Sequence, residues 1–96
     1  MSEYQLSKKA DEDLQRTYEF SIKQFGQTVA DEYFLSLRDC LLQVADSPTL
    51  GRDCREIAPE YFRFECGPHS IFYKIGKKRV VIVRAIHQSM NPDIHI

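Results

Sequence analysis

The sequence predicts an α+β fold in which a small, mostly antiparallel sheet is covered on one face by a helical hairpin, in the order β-α-α-β-β-β. Two patterns predict this class. Three short apolar runs separated by tight turns occupy residues 61–87, and two stretches with apolar residues three and four positions apart occupy residues 8–46. A chain of 96 residues can bury one core but not two, so we expect a single domain over residues 1–96.

The last third of the chain predicts an antiparallel meander. The run Tyr61–Cys66 alternates in side-chain type, a Gly-Pro turn follows, and His69–Ile75 forms a second run. After a polar turn, residues 79–87 hold the densest β-branched run of the chain. We expect this last strand to lie inside the sheet, where both of its faces are covered.

The first helix is predicted after a short strand at residues 3–6. Ser7 is placed to cap it, because its hydroxyl can accept a hydrogen bond from a backbone N–H of the first turn. Gly26 is expected to end the helix in a left-handed conformation. The expected apolar stripe of this helix consists of Ala10, Leu14, Thr17, Tyr18, Ile22 and Phe25.

The second helix is predicted to begin near Gln27 and to end before Pro48. Leu35, Cys40 and Leu42 lie away from its main stripe, which leaves two interpretations: a wide core face, or a second face that binds a partner chain. The main stripe is expected to hold Ala30, Tyr33, Phe34, Leu37, Leu41 and Val44.

Two segments are predicted to lack helix and strand. Residues 49–60 form a connection that is longer than most and carries a mixed-charge run, as functional or solvated loops do. Residues 88–96 form a short tail with a turn at Asn91 and Pro92. Exposed apolar residues in such a tail are typical of a contact surface.

The sheet face away from the helices is expected to be half polar. Arg63, Glu65, Lys74 and Arg84 would stand there among apolar neighbours. We interpret this open face as a docking surface.

Composition and charge exclude several classes of protein. The formal net charge is −1, whereas a domain that binds nucleic acid usually carries an excess of basic residues. Apolar runs fall well short of the roughly 18 residues that span a bilayer, so we expect a cytoplasmic protein without membrane contact. Three cysteines without framework spacing predict reduced thiols. Cys66, His69 and His87 do not complete a four-ligand zinc site, and we expect neither a metal nor a cofactor.

RNA cleavage is the catalytic chemistry that the residues come nearest to supporting. It needs cations to hold the phosphate, a base and an acid, and Arg63, Arg84 and His87 would be the catalytic set. The alternative is structural: the two arginines form ion pairs with Glu65 or Glu56, and His87 satisfies the end of a strand. The absence of a basic excess favours the structural interpretation.

Short motifs follow one another in a fixed order along nearly the whole chain. They are Tyr4-x-Leu6-Ser7-x-x-Ala10-x-x-Asp13-Leu14, Phe25-Gly26 with Ala30 and Tyr33, Pro48-x-x-Gly51-Arg52, Tyr61-Phe62-Arg63, Gly67-x-His69-Ser70-Ile71-Phe72-Tyr73, and Ile82-Val83-Arg84-Ala85-Ile86-His87 before Asn91-Pro92-Asp93. In this order and spacing they resemble the ParE toxins of bacterial type II toxin–antitoxin modules, within the wider RelE/ParE superfamily.

The resemblance implies a function. It implies a toxin that is not an enzyme, inhibits DNA gyrase and blocks replication, and is neutralised by a ParD-like antitoxin, through which alone it would act at operator DNA. The RelE branch of the superfamily instead cuts mRNA on the ribosome, which keeps the endoribonuclease as an alternative. A non-toxic member that acts only as a binding module is the third possibility.

Two sets of binding residues follow from this hypothesis. Antitoxin binding is assigned to the apolar side of the helical hairpin and the open sheet face, with Leu35, Leu42, Arg63 and Arg84 as candidates. Binding of the target is assigned to the end of the last strand and the tail, with candidates His87, Met90, Asn91, Pro92 and His95.

Overall fold

In the computed structural model, which describes residues 3–54 and 60–87, five strands form one sheet and two helices pack on it. This confirms the predicted α+β class and the helical hairpin. The strands are β1 (Tyr4–Leu6), β2 (Arg52–Asp53), β3 (Tyr61–Cys66), β4 (His69–Ile75) and β5 (Val80–His87), and the helices are α1 (Lys8–Phe25) and α2 (Gln27–Asp46).

The sheet has the strand order β1-β5-β4-β3-β2. β3, β4 and β5 form the predicted antiparallel meander, and β1 adds to β5 in parallel. β5 therefore lies between two strands, as its β-branched residues predict. β1 is shorter than β5 and pairs only with Val80, Val81 and Ile82. Among the described residues, no strand consequently borders the second half of β5 on that edge.

The start of α1 occupies the place that β1 leaves open. The Ser7 backbone N–H donates to the Ile82 carbonyl at 2.9 Å, and the Ser7 hydroxyl donates to the Val83 carbonyl at 2.8 Å. The same hydroxyl accepts the Ala10 N–H at 3.0 Å, so the predicted N-cap is confirmed and also ties the helix to β5.

One glycine joins the two helices, as predicted. Gly26 has φ of 89°, a conformation that a side chain would strain, and its N–H donates to the Ile22 carbonyl at 2.9 Å. Further along the hairpin the Tyr18 hydroxyl donates to the Asp31 carboxylate at 2.6 Å. The helices are therefore held together by polar contacts as well as by their apolar faces.

The main core lies between the helices and the sheet. Its buried members are Ala10, Leu14, Leu37, Leu41, Val44, Ile71, Tyr73, Val80, Ile82 and Ala85. The stripe predicted for α1 is wrong at its end, because Phe25 is 64% exposed. The buried positions of α1 instead include Asp13 and Ser21, so the inner side of this helix is partly polar.

The other face of the sheet carries a small second cluster of Cys54, Phe72 and Ile86, with Tyr61 packed against it. Beside it, Arg63 pairs with Glu65 at 2.5 Å and donates to the Ser70 hydroxyl at 3.0 Å. The expected half-polar face is thus present around Arg63, and the Arg63–Glu65 ion pair is the one that the structural interpretation predicts.

The expectation for Arg84 on this face is wrong. Arg84 pairs in register with Phe72, but its guanidinium reaches Asp13 on α1 at 2.8 Å. Two features explain this. The register shifts between Phe72 and Tyr73, so Val83 is an extra residue in β5, and such bulges re-aim neighbouring side chains. The missing strand beyond Ile82 also brings α1 within reach of Arg84.

The prediction of three reduced thiols is also wrong, since Cys40 and Cys66 form a disulfide between α2 and the end of β3. The expectation that Cys40 lies away from the main stripe of α2 is wrong: it lies three residues after Leu37 and four before Val44, on the side of the helix that enters the core. Cys66 follows Phe62 and Phe64 at alternate positions, and all three pack against the main core. The two cysteines therefore face each other.

The predicted loop after α2 contains structure. Residues Pro48–Leu50 form one turn of 3₁₀ helix, and β2 pairs Arg52 with Arg63 of β3; residues 55–59, with Glu56, lie outside the described residues. The buried Tyr73 hydroxyl fixes this segment: it donates to the Pro48 carbonyl at 2.7 Å and accepts the Gly51 N–H at 2.8 Å.

We expect Tyr73→Phe to destabilise the domain by about 1–3 kcal/mol, because it leaves the Pro48 carbonyl and the Gly51 N–H without their partner. The measurement is the free energy of unfolding in urea. Tyr61→Phe, at a half-buried tyrosine of β3, is the matched control. Equal unfolding free energies for wild type and Tyr73→Phe would contradict this role of the hydroxyl.

Candidate partner-binding groove

A groove of about 420 Å³ opens between the helical hairpin and the ends of the strands near His87 and Pro68. We call it the hairpin groove. Its apolar lining comes from Phe20 and Phe25 of α1 and Val29 of α2, and its polar lining includes Asp13, Thr17, Tyr33 and His87.

The apolar lining of the hairpin groove is unusually open to solvent. Phe20 is 58% exposed, Phe25 is 64% exposed and Val29 is 47% exposed. All three lie within ten residues around Gly26, where the chain reverses between the helices. Exposed apolar residues that line one groove are typical of a surface that binds a partner.

His69 lies beside the groove at the start of β4 and is fully buried. The Tyr33 hydroxyl is 2.5 Å from its Nδ1, the Thr17 hydroxyl is 3.4 Å from its Nε2, and the ring of His87 stands edge-on at 5.2 Å between centroids. A neutral imidazole satisfies both hydroxyls at once: the Tyr33 O–H donates to Nδ1, and Nε2–H donates to the Thr17 oxygen.

The surroundings of His69 favour that neutral form. Burial and, to a lesser extent, the neighbouring His87 lower the pKa of His69 to about 4 against a smaller opposing effect of Asp13. Burial also raises the pKa of Tyr33, so its phenol keeps the proton that it donates. The polar side of the groove is therefore uncharged at His69 and Tyr33 near neutral pH.

Stability should consequently fall in acid through His69. Its pKa is lower in the folded chain than in the unfolded chain, so the unfolded chain binds the proton first, and stability present above about pH 6.5 is lost as the pH falls towards 4. We expect wild type to lose about 2 kcal/mol of unfolding free energy between pH 8 and pH 5 from this group alone. His69→Gln should lose correspondingly less, and parallel pH profiles for the two proteins would contradict the assignment.

Asp13 links the groove to the sheet. Its carboxylate accepts the Arg84 guanidinium at 2.8 and 3.0 Å and the Ala85 backbone N–H at 3.1 Å, and its side chain is only 2% exposed. The hydrogen bond to Asp13 raises the pKa of Arg84. The carboxylate thus accepts hydrogen bonds both from the edge of β5 that β1 leaves open and from the partly buried guanidinium of Arg84.

The two arginines of the predicted RNA-cleaving set already have polar partners within the protein. Arg63 is occupied by Glu65 and Ser70, and Arg84 by Asp13. His87 lies at the end of β5 beside His69 and lines the groove. A phosphate held by either arginine would share its guanidinium with a carboxylate.

The other predicted site residues are placed as follows. Leu35 is 53% exposed on α2, and Leu42 is half-buried. Leu35 is two residues beyond Tyr33, so it points away from the groove. Met90, Asn91, Pro92 and His95 lie outside the described residues.

Sequence reasoning missed Phe20, Val29 and His69 as site residues and assigned Phe25 to the core. One signal was available: Phe20 falls outside the three-and-four spacing of the α1 stripe. A large aromatic residue off the core stripe is typical of a contact surface. The burial of His69 carries no comparable signal.

Within residues 3–54 and 60–87, no helix has the length and apolar character of a membrane span, and no three potential metal ligands come together. Cys66, considered as a ligand above, is bonded to Cys40 instead.

Comparison with known proteins gives consistent results. The family model for the ParE toxin of type II toxin–antitoxin systems, parDE, matches residues 4–92. Toxin ParE1 of Caulobacter vibrioides is 33% identical over 96 residues, which cover 100% of this chain and 99% of the relative. Toxin ParE1 of Mycobacterium tuberculosis is 32% identical over 93 residues, which cover 96% of this chain and 95% of the relative.

A solved chain from the chromosomal ParDE TA system of P. aeruginosa has the same fold, with a TM-score of 0.77 over 91% of this chain and 96% of that chain at 17% identity. The matching motifs are therefore carried by a matching fold. With a family match over residues 4–92 and one-third identity to a relative over its full length, the chain belongs to the ParE toxin family of type II toxin–antitoxin systems.

Proposed function

We propose that this protein is a cytoplasmic, non-enzymatic toxin that inhibits DNA gyrase, blocks replication and is neutralised by a ParD-like antitoxin. Membership of the ParE family supports the class of activity, and the relative solved as part of a ParDE system supports the class of partner. The observation that carries the proposal on this chain is the exposed apolar hairpin groove, which suits binding of a protein segment rather than chemistry on a small substrate.

The antitoxin is proposed to cover the hairpin groove. Phe20, Phe25 and Val29 offer apolar area to an amphipathic helix, and the neutral pair of Tyr33 and His69 avoids burying a charge beneath it. Leu35, Leu42 and Arg63 remain the candidates that the sequence adds. Arg84, the fourth candidate, is not proposed again, because its guanidinium is paired with Asp13 on α1. Because Leu35 faces away from the groove, an antitoxin that touches both would have to wrap around α2.

The ion pairs of Arg63 and Arg84 support the proposed non-enzymatic toxin over the alternative, mRNA cleavage. Cleavage needs cations that stabilise developing negative charge, and Arg63 and Arg84 each already serve a carboxylate. His69 is poorly suited to act as a general base near neutral pH, since its pKa of about 4 makes it weakly basic.

The deciding experiment runs two reactions with the same purified protein: DNA supercoiling by gyrase, and in vitro translation. Loss of supercoiling or trapped cleaved DNA, with intact mRNA, is the expected result. Cleaved mRNA with normal supercoiling would establish the endoribonuclease and make Arg63, Arg84 and His87 the catalytic set. Normal behaviour in both reactions would establish a binding module.

Target contacts are assigned by a truncation in the same assay. We propose that His87, Met90, Asn91, Pro92 and His95 face the target, so a chain that ends at His87 should lose inhibition while it still binds the antitoxin. A truncated chain that inhibits gyrase as well as wild type would reject the tail as a target contact.

A further inference from the structure

We propose that Cys40 and Cys66 form a reversible disulfide that ties α2 to the sheet and makes the stability of this toxin depend on the thiol redox state of its surroundings. The proposal concerns the fold itself and does not rest on gyrase as the target.

Geometry brings the two cysteines together from different elements. Cys40 lies in the second turn from the end of α2, Cys66 ends β3, and their Cα atoms are 6.1 Å apart, within the range that disulfides require. Both positions are defined by the core: Leu37 and Val44 flank Cys40 at helical spacing, and Phe64 precedes Cys66 on the same side of β3. The pairing therefore needs no rearrangement of the fold.

Cys40 and Cys66 are both half-buried rather than fully buried. The third cysteine differs, because Cys54 is 1% exposed within the second cluster on the other face of the sheet. Exchange is consequently confined to one pair, and Cys54 serves as an internal reference for thiol counting.

The reaction is thiol–disulfide exchange with a small disulfide such as oxidised glutathione. One cysteine thiolate attacks the small disulfide and releases one small thiolate, and the second cysteine thiolate then displaces the other. The pair loses two protons and two electrons and gains one S–S bond, while the small disulfide takes up both electrons and leaves as two thiols. Excess small thiol reverses both steps.

The consequence is a tether across 26 residues of sequence, which include the end of α2, the 3₁₀ turn, β2 and most of β3. Closing a loop of that length in the unfolded chain lowers the unfolding equilibrium constant by roughly 100- to 1000-fold. An oxidised toxin would thus spend a smaller fraction of time unfolded and be cleaved more slowly by proteases that act on the unfolded chain.

The test compares the purified full chain after equilibration with oxidised or reduced glutathione. Alkylation in denaturant with a mass-adding maleimide should label one cysteine in the oxidised protein and three in the reduced protein. Urea unfolding should give an equilibrium constant lower by about two orders of magnitude in the oxidised protein. Because wild type is compared with itself, the result does not depend on whether a variant folds.

Cysteine variants then show which residues cause the difference in stability between the oxidised and reduced proteins. Cys54→Ser should keep the full difference between the oxidised and reduced states, and Cys40→Ser with Cys66→Ser should lose it. Three labelled cysteines after incubation with oxidised glutathione, or the same urea midpoint in both states, would overturn the proposal.

Discussion

Asp13→Asn is expected to destabilise the domain by about 3–5 kcal/mol, because it removes a buried charge that compensates a partly buried guanidinium. The carboxylate accepts three hydrogen bonds from β5 and is almost fully buried, and the Arg84 side chain is only 17% exposed. Urea unfolding of the purified protein measures the loss.

Asp11→Asn is the matched control, since Asp11 lies in the first turn of the same helix and accepts an exposed hydrogen bond from Gln15 at 3.1 Å. It should change the unfolding free energy by less than about 1 kcal/mol. A double-mutant cycle with Arg84→Met separates the ion pair from the bond to Ala85. If Asp13→Asn were no more destabilising than the control, the pair would not hold α1 on the sheet.

Phe20→Ala and Phe25→Ala are each expected to weaken binding of the cognate antitoxin by about 10- to 100-fold. Both side chains are more than half exposed in the toxin alone and line the hairpin groove, so truncation removes contact area that only a partner buries. The unfolding free energy of each variant toxin should differ from that of wild type by about 1 kcal/mol or less. Affinity is measured by calorimetry with each variant.

Ile75→Ala provides the control for this pair, because Ile75 is 53% exposed at the end of β4 and does not line the groove. Leu35→Asp, on the opposite side of α2, distinguishes the two proposed contact surfaces. If both phenylalanine variants bound as tightly as wild type while Leu35→Asp bound weakly, the antitoxin would lie on the outer face of α2.

The elements themselves follow from local sequence. Tyr61–Cys66 and His69–Ile75 are strands with the predicted bounds, and the single-glycine hairpin begins and ends where Ser7, Gly26 and Pro48 predict. These features are local: side-chain alternation, capping hydroxyls and left-handed glycine act within a few residues of chain.

The predictions that were wrong concern contacts between residues that are far apart in the chain. Arg84 was predicted to face solvent from strand alternation alone, but a bulge at Val83 and the early end of β1 redirect it to Asp13. Cys40 and Cys66 were predicted to stay reduced from their spacing in sequence, but they are joined by packing between α2 and β3. Phe25 was assigned to the core because helical spacing alone does not show where the sheet ends.

By itself, the sequence determined the α+β class, the hairpin, the meander and the position of β5 inside the sheet, and its motifs indicated the family. Only the tertiary structure decided which charges are compensated, which cysteines meet and which aromatic residues stay exposed. Those three outcomes depend on distances between residues far apart in the chain, such as the 71 positions between Asp13 and Arg84, and no periodicity or composition encodes them.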